Sequence, residues 1–496
     1  MRGVEKMGKT LTAIISLILL LFMFLILTFN TKAQNTATDW WPTFRHDATH
    51  SGYSDSTAPN VNHTAWTFAT SASIYSSPAV VGGKLYVGSL DRKVYALDAG
   101  NGQLIWNYTT GNTVYSSPTI VDGKVYIGSM NGIVYALNAT NGKLQWSYST
   151  YSYLSSSPAV SDCKVYIGTI DRKVYALNFT NGLKIWSYTT EGSVESSPAV
   201  FEGKVYIGSY DGKVYALNAS NGNRIWSYLT GGAVDSSPAL VDDKVYIGSR
   251  DHNVYALNAT NGQLIWNYTT GGVVDSSPAV IDGRVYVGSS DGHVYALDAG
   301  SGQQVWNHTT RDWVRSSPAI ADGKVFIGSR DYNIYALTAA NGELVWNYTT
   351  AGLLYSSPAI ADGKLYVGSW DGKIYAFDQS SPPTSPSPTP SSEPTPTPVP
   401  TVSPTPTQVP TPTPTPTPTA IPKNAITNMP TPTPSAFAPH TLSPSPTNKP
   451  RVPPEDQPLV VYAIVIVVAL LGLIGIAIFK RKKGKPIKSE LYRSKD

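Results

Sequence analysis

Ser-Ser-Pro recurs eight times at one fixed interval in this 496-residue chain, with its proline at positions 78, 118, 158, 198, 238, 278, 318 and 358. The spacing is 40 residues each time, without an insertion or a deletion. A tryptophan keeps the same beat at Trp66, Trp106, Trp146, Trp186, Trp226, Trp266, Trp306 and Trp346. Repetition at a fixed period means one supersecondary unit copied many times, each unable to bury its apolar face without a neighbour. A period near 40 residues suits a four-stranded propeller blade.

A single repeat supports that reading. Between Ser116 and Thr150, runs rich in Val, Ile, Tyr and Trp alternate with the turn pairs Asp122-Gly123, Asn131-Gly132 and Asn141-Gly142. β-branched and aromatic runs between such pairs are hairpin signals, and nothing here has a helical period. Seven units run complete from Ser-Ser-Pro to Trp. The eighth begins at Ser356, ends near Asp378 and lacks its tryptophan strand. An orphan tryptophan strand, residues 63–68, lies at the other end. Joining the two completes a blade and leaves no bare sheet edge. The expectation is an all-β, eight-bladed β-propeller over residues 63–380, circularly closed by its N-terminal strand, with residues 34–62 as a lead-in.

The flanks place the domain. Residues 1–33 read as a signal: Arg2, Lys6 and Lys9 precede an apolar run from Thr10 to Phe29, then Thr31-Lys32-Ala33. The run is either cleaved after Ala33 or retained as an anchor. In residues 381–457, 26 of 77 positions are proline, mostly beside Thr or Ser. Such a tract cannot bury a core and reads as a disordered stalk. Residues 458–479 are apolar and of membrane-spanning length, and a basic tail, 480–496, follows. By the positive-inside rule that tail stays cytoplasmic and the propeller is exported. The tail carries net +6 and residues 1–9 net +2, so the rest of this +4 chain is −4. No basic face is left for nucleic-acid phosphates.

The unit Val-Tyr-Ile-Gly-Ser-x-Asp-Gly-x-Val-Tyr-Ala-Leu-Asn-x-x-Asn-Gly-x-x-x-Trp, as in Val205 to Trp226, resembles the PQQ-like propeller repeat, named after pyrroloquinoline quinone. The stretch from Trp41 to Gly52 is similar to the segment that precedes many such propellers. The resemblance covers about residues 40–378 and implies that the repeated tryptophans dock one blade on the next. It leaves function open, since the superfamily includes quinone-dependent dehydrogenases, an outer-membrane-assembly lipoprotein working through protein contacts, and surface proteins.

Candidate chemistry follows from what varies between repeats. The residue before each Ser-Ser-Pro opens the innermost strand at the channel mouth. Around the ring it reads Tyr75, Tyr115, Ser155, Glu195, Asp235, Asp275, Arg315, Tyr355. Three acids face three tyrosines. The second-turn loops should open on the same face and bring Arg250, Arg330 and Trp370 to it. Gathered carboxylates cost energy unless offset, either by Arg315, Arg250 and Arg330 or by a bound cation such as calcium. The tyrosines offer amphipathic surface for sugars or peptide side chains.

Other motifs carry less. The Asp of each second turn (Asp91, Asp211 and their equivalents) lies on a separate blade and cannot converge as calcium ligands do, so it is read as a turn residue. His46 and His50 lack a third ligand for zinc, and no metal site is assigned. Cys163, the single cysteine, sits in a turn. Asn138, Asn178, Asn218 and Asn258 head Asn-x-Ser/Thr sequons in third-turn loops and are the glycosylation candidates. With one cysteine and short uniform loops, no catalytic residue and no cofactor, PQQ included, is expected. The reading is a membrane-anchored cell-surface binding or adhesion module for an extracellular protein or carbohydrate. A quinone- or metal-dependent extracytoplasmic oxidoreductase is the alternative. For topology, protease added to intact cells is expected to release the propeller by cutting the stalk; a fully protected propeller would refute the orientation.

Overall fold

The computed structural model describes residues 40–379. In it, the runs between Asp/Asn-Gly turns form 32 strands in eight four-stranded sheets. Seven sheets take their strands in chain order, as in blade 1: Ala79–Val81, Lys84–Gly88, Lys93–Asp98 and Leu104–Thr109. All the pairings within blades are antiparallel, as short turns require. The eighth sheet joins the termini. His63–Ala69 pairs with Lys373–Asp378, setting Trp66 opposite Ala376. Eight blades and closure by the N-terminal strand are as the repeat count predicts. The signal, stalk, apolar span and basic tail lie outside the described residues. No described helix is long and apolar enough to cross a membrane.

The repeated tryptophan docks blades through both packing and a hydrogen bond. Trp106 Nε1 and Tyr86 Oη both donate to the Ala139 carbonyl of the next blade, each at 3.0 Å. The ring closes the same way, with Trp66 Nε1 (3.1 Å) and Tyr366 Oη (3.0 Å) donating to Ala99 O. Seven of the eight rings, Trp66 to Trp306, also lie on a turn glycine of the following blade. A Cβ on Gly102, at φ +74°, would sit 2.5 Å from Trp66. That glycine therefore answers both to a left-handed backbone and to a close approach. Where Phe326 replaces the tyrosine, Trp346 Nε1 donates alone at 3.0 Å, to Pro59 O of the lead-in, which stands in for the missing turn of the eighth blade.

Ser-Ser-Pro has two jobs that its periodicity does not disclose. The first serine accepts from its own blade, as Gly88 N to Ser76 Oγ at 3.0 Å. The second accepts the backbone amide of the preceding blade's second serine: Ser77 N to Ser117 Oγ, 2.9 Å. The chain of bonds runs through Ser157, Ser197, Ser237, Ser277 and Ser317 to Ser357, whose amide returns to Ser77 Oγ at 2.9 Å. The result is a closed circle around the channel.

The lead-in is a strap across one end of that channel. Its carbonyls accept amides of successive innermost strands: Trp41 O from Val80, Pro42 O from Ile120, Ala48 O from Val200, Thr49 O from Leu240, Ser51 O from Val280 and Gly52 O from Ile320. Phe44 lines the channel, and the fully buried Arg45 donates Nη1 to Pro318 O and Nη2 to Pro278 O. His50 donates Nδ1–H to Pro238 O at 3.1 Å, and burial pushes its pKa down to about 4. His46 turns instead to Asp47. Both histidines of the strap serve hydrogen bonding.

Closure makes a testable claim on stability. Trp66→Ala is expected to cost about 3–5 kcal/mol in denaturant unfolding, the range for deleting a buried aromatic. Deleting residues 63–69 should cost more and lower the melting temperature of the whole ring, because it also strips the outer partner of Lys373–Asp378. A ring that melts unchanged without this strand would sink the closure account.

Candidate functional site

The residue before each Ser-Ser-Pro points into the channel two positions ahead of the serine circle, at the end away from the strap. All eight predicted rim residues line one cavity of about 110 Å³, floored by the second serines and Phe44. The hydroxyls of those serines accept amides, and among the described residues none has an acceptor for its own hydrogen. The channel is thus a cup with one open mouth.

One side of the mouth is aromatic. Tyr75 stacks on Tyr355 with ring centroids 5.2 Å apart and an interplanar angle of 17°, and meets Tyr115 at 5.2 Å on its other side. Trp370 extends the arc, 5.1 Å from Tyr355, and stays exposed. Arg330 joins this side and not the acids: its guanidinium lies 4.4 Å above Trp313 and 6.0 Å from Tyr355, and its buried Nε has no partner among the described residues. The expectation that Arg330 offsets the carboxylates is therefore corrected. The bulky indole at position 313 offers its face to the cation before any acid can reach it. Trp313 and Tyr332 are themselves exposed beside it.

The other side is ionic. Arg250 donates Nη2 to Asp235 Oδ2 at 2.9 Å and Nε to Asp275 Oδ1 at 3.0 Å, and Arg315 donates to Asp275 Oδ2. Tyr210, beneath the Arg250 guanidinium, bonds Asp235 as well. Among the described residues Glu195 is held only by Ser155 Oγ, at 3.3 Å. Three acids thus face two arginines. Burial pushes Asp235 up to about 6, with the Asp275 and Glu195 carboxylates adding to it and the arginines pulling the other way. Tyr210 and Trp313 were not among the predicted site residues. Position 210 varies among the equivalent second-turn positions (Leu90, Met130, Ile170, Tyr210), and that variation was the available signal.

The remaining motifs are structural. Asp91 accepts Lys93 N at 3.0 Å through one oxygen and Tyr95 Oη at 2.6 Å through the other, as do its counterparts in most blades. Asn138 Oδ1 is held in its turn by Thr140 N and Asn141 N. Asn138, Asn178, Asn218 and Asn258 are half-buried, whereas Asn107, Asn267, Asn307 and Asn347 on outer strands are exposed. Cys163 is exposed in its turn.

The linkage of Asp235 has a definite sign. A carboxyl raised in the folded state favours folding when protonated, so its contribution is full below its unfolded pKa near 4 and is lost as pH rises through about 6. Relative to Asp235→Asn, the protein should lose up to ~3 kcal/mol between pH 4 and pH 7, the worth of about two pKa units. Parallel stability–pH curves for the two proteins would overturn this.

Comparisons with known proteins agree on architecture. A family model described as outer membrane protein assembly factor BamB matches residues 56–158, 150–289 and 269–381. No curated protein matches the sequence. Among solved structures, BamB from Moraxella catarrhalis superposes with a TM-score of 0.58 at 20% identity, covering 64% of this chain and all of its own. The computationally designed Ika8 protein gives 0.59 at 18%, covering 64% of this chain and all of its own. The quinohemoprotein alcohol dehydrogenase of Comamonas testosteroni gives 0.61 at 17%, covering 70% and 82% respectively. At these identities the likeness is one of fold. The family model spans well over half of the sequence, and the chain belongs to the BamB-like family of PQQ-like β-propellers.

Proposed function

We propose that this protein is a non-catalytic binding module, carried outside the cell on its proline-rich stalk and membrane anchor, that takes a ligand at the channel mouth. The observation that carries the reading is the division of one open cup into an acidic side and an aromatic side. Glu195 is the least neutralised acid, and Asp235 shares Arg250 with Asp275. A cationic group, such as an ammonium on a protein side chain or an amino sugar, would restore charge balance there. Tyr115, Tyr75, Tyr355 and Trp370 form a continuous aromatic arc suited to the apolar face of a sugar or a peptide side chain.

The oxidoreductase reading draws on a structural neighbour that is a quinohemoprotein alcohol dehydrogenase. The residues here do not fit a tricyclic quinone. Tyr75 and Tyr355 are stacked on each other, and the cavity of about 110 Å³ is well below the ~300 Å³ at which small-molecule pockets begin. Among the described residues no three His, Cys, Asp or Glu side chains gather to hold a metal.

The test is a glycan and peptide binding screen with the full chain in detergent, followed by variants on each side of the cup. Asp235→Asn with Asp275→Asn should abolish binding of a cationic ligand, and Tyr75→Ala with Tyr115→Ala should weaken it, in protein shown by circular dichroism to be folded. Binding should strengthen as pH rises through about 6, where Asp235 ionises. Full binding by both double variants would move the site elsewhere, and a quinone chromophore in the purified protein would revive the enzyme reading.

A further inference from the structure

The strap's carbonyls take inner-strand amides from six of the eight blades: those of Val80, Ile120, Val200, Leu240, Val280 and Ile320. In blade 8 the amide of Ile360 also has no acceptor among the described residues, but Ile360 is fully buried in the cluster containing Ala58. Blade 3 differs. Among the described residues the amide of Val160 has no acceptor, and Val160 is only half-buried where its seven equivalents are buried. The cause is visible in the strap. Between Pro42 and Ala48 it leaves the ring to send Phe44 and Arg45 into the channel, with Arg45 and His46 at positive φ. That detour passes over blade 3.

The space left is a cavity of about 730 Å³. Trp40, Pro42, Ala48, Ile120, Val121 and Val160 give it mainly apolar walls, and Asp47 and Asp55 stand on its rim. We propose that this groove is a second binding site, on the strap face, for an extended segment of a partner polypeptide that adds to the open edge of the strand Ala159–Ser161 by accepting the Val160 amide. The occupant's chemistry is given by the strap itself. At six blades the acceptor in this position is a main-chain carbonyl of the strap, and blade 3 offers the same donor beside an apolar slot. Strand addition of this kind takes affinity from main-chain bonds and selectivity from the pocket beside them. An apolar side chain would fill the slot, and the two rim carboxylates favour a basic residue next to it.

The site lies at the opposite end of the channel from the cup, so the two proposals fail separately. The probe is a fluorescein-labelled, end-blocked hexapeptide of alternating threonine and valine, without a lysine so that it offers no ammonium to the cup, titrated by anisotropy into the full chain in detergent. Saturable binding is expected. It should weaken about tenfold or more in Val160→Pro, which removes the amide, and in Val160→Arg, which fills the slot, as loss of one hydrogen bond and of apolar contact implies. Asp235→Asn, at the cup, should bind as the parent does. Thermal unfolding checks that each variant is folded, and Val160→Arg keeps the test alive if proline unfolds the blade. No saturable binding at millimolar probe, or equal binding by both Val160 variants, would overturn the site. Binding that appears only after deletion of residues 34–39 would make the chain's own segment the occupant and overturn the partner assignment.

Discussion

A backbone amide donating to a serine hydroxyl in the next blade, repeated until it returns to Ser77, sets the geometry on which everything else rests. Each such bond is worth only about 0.5–1.5 kcal/mol net. Its leverage comes from closure. A circle has no free end, so a blade cannot shift outward without breaking two bonds and lifting a tryptophan from its glycine. The same circle explains the strict period. An inserted residue inside any blade would displace its serine relative to both neighbours. Proline after the pair suits the arrangement, since a residue with no amide hydrogen needs no acceptor, and its carbonyl is free to accept from Arg45 or His50.

Much of this was legible in the residues. The 40-residue beat specifies blades, the orphan Trp66 strand specifies closure, and the position before Ser-Ser-Pro identifies the rim in its correct order. What escaped was anything requiring a partner from a distant part of the chain. The serine circle joins residues 40 apart and finally 280 apart, and a periodic motif looks the same whether it bonds within a blade or between blades. The strap was equally hidden. Its residues have no period of their own, and only in three dimensions do Trp41 to Gly52 meet the innermost strands in turn. Arg330 shows the limit for side chains. From its loop it could reach either an acid or an indole, and the choice depends on Trp313 in the loop next to it.

The strap also explains why the two ends of an eightfold ring are so unlike. Plugging the channel with Phe44 and Arg45 turns a pore into a cup and excludes through-traffic, but the buried guanidinium has only carbonyls within reach. Burial drives its pKa down to about 9, so the two proline carbonyls are needed to keep the charge tolerable. The same detour opens blade 3. One local choice of chain path therefore generates both asymmetries: a blind cup at one end and an uncovered strand edge at the other.

Position 75 and its seven equivalents show how such a scaffold separates stability from recognition. Tyrosine, serine, glutamate, aspartate and arginine all occupy it, while the serines and tryptophans around it stay unchanged. The blade tolerates each because the side chain projects into the cup and packs against no sheet. Asp275 is the exception. Its side chain is buried and pinned by both Arg250 and Arg315. Removing it leaves two guanidiniums to share Asp235 in a site too closed for water to screen them fully. The rim's chemistry can therefore be varied freely at Glu195 or Tyr115, at a modest cost at Asp235, and at the largest cost in stability at Asp275. On the proposed reading, selectivity at this mouth is set by the residues on either side of that one fixed ion pair.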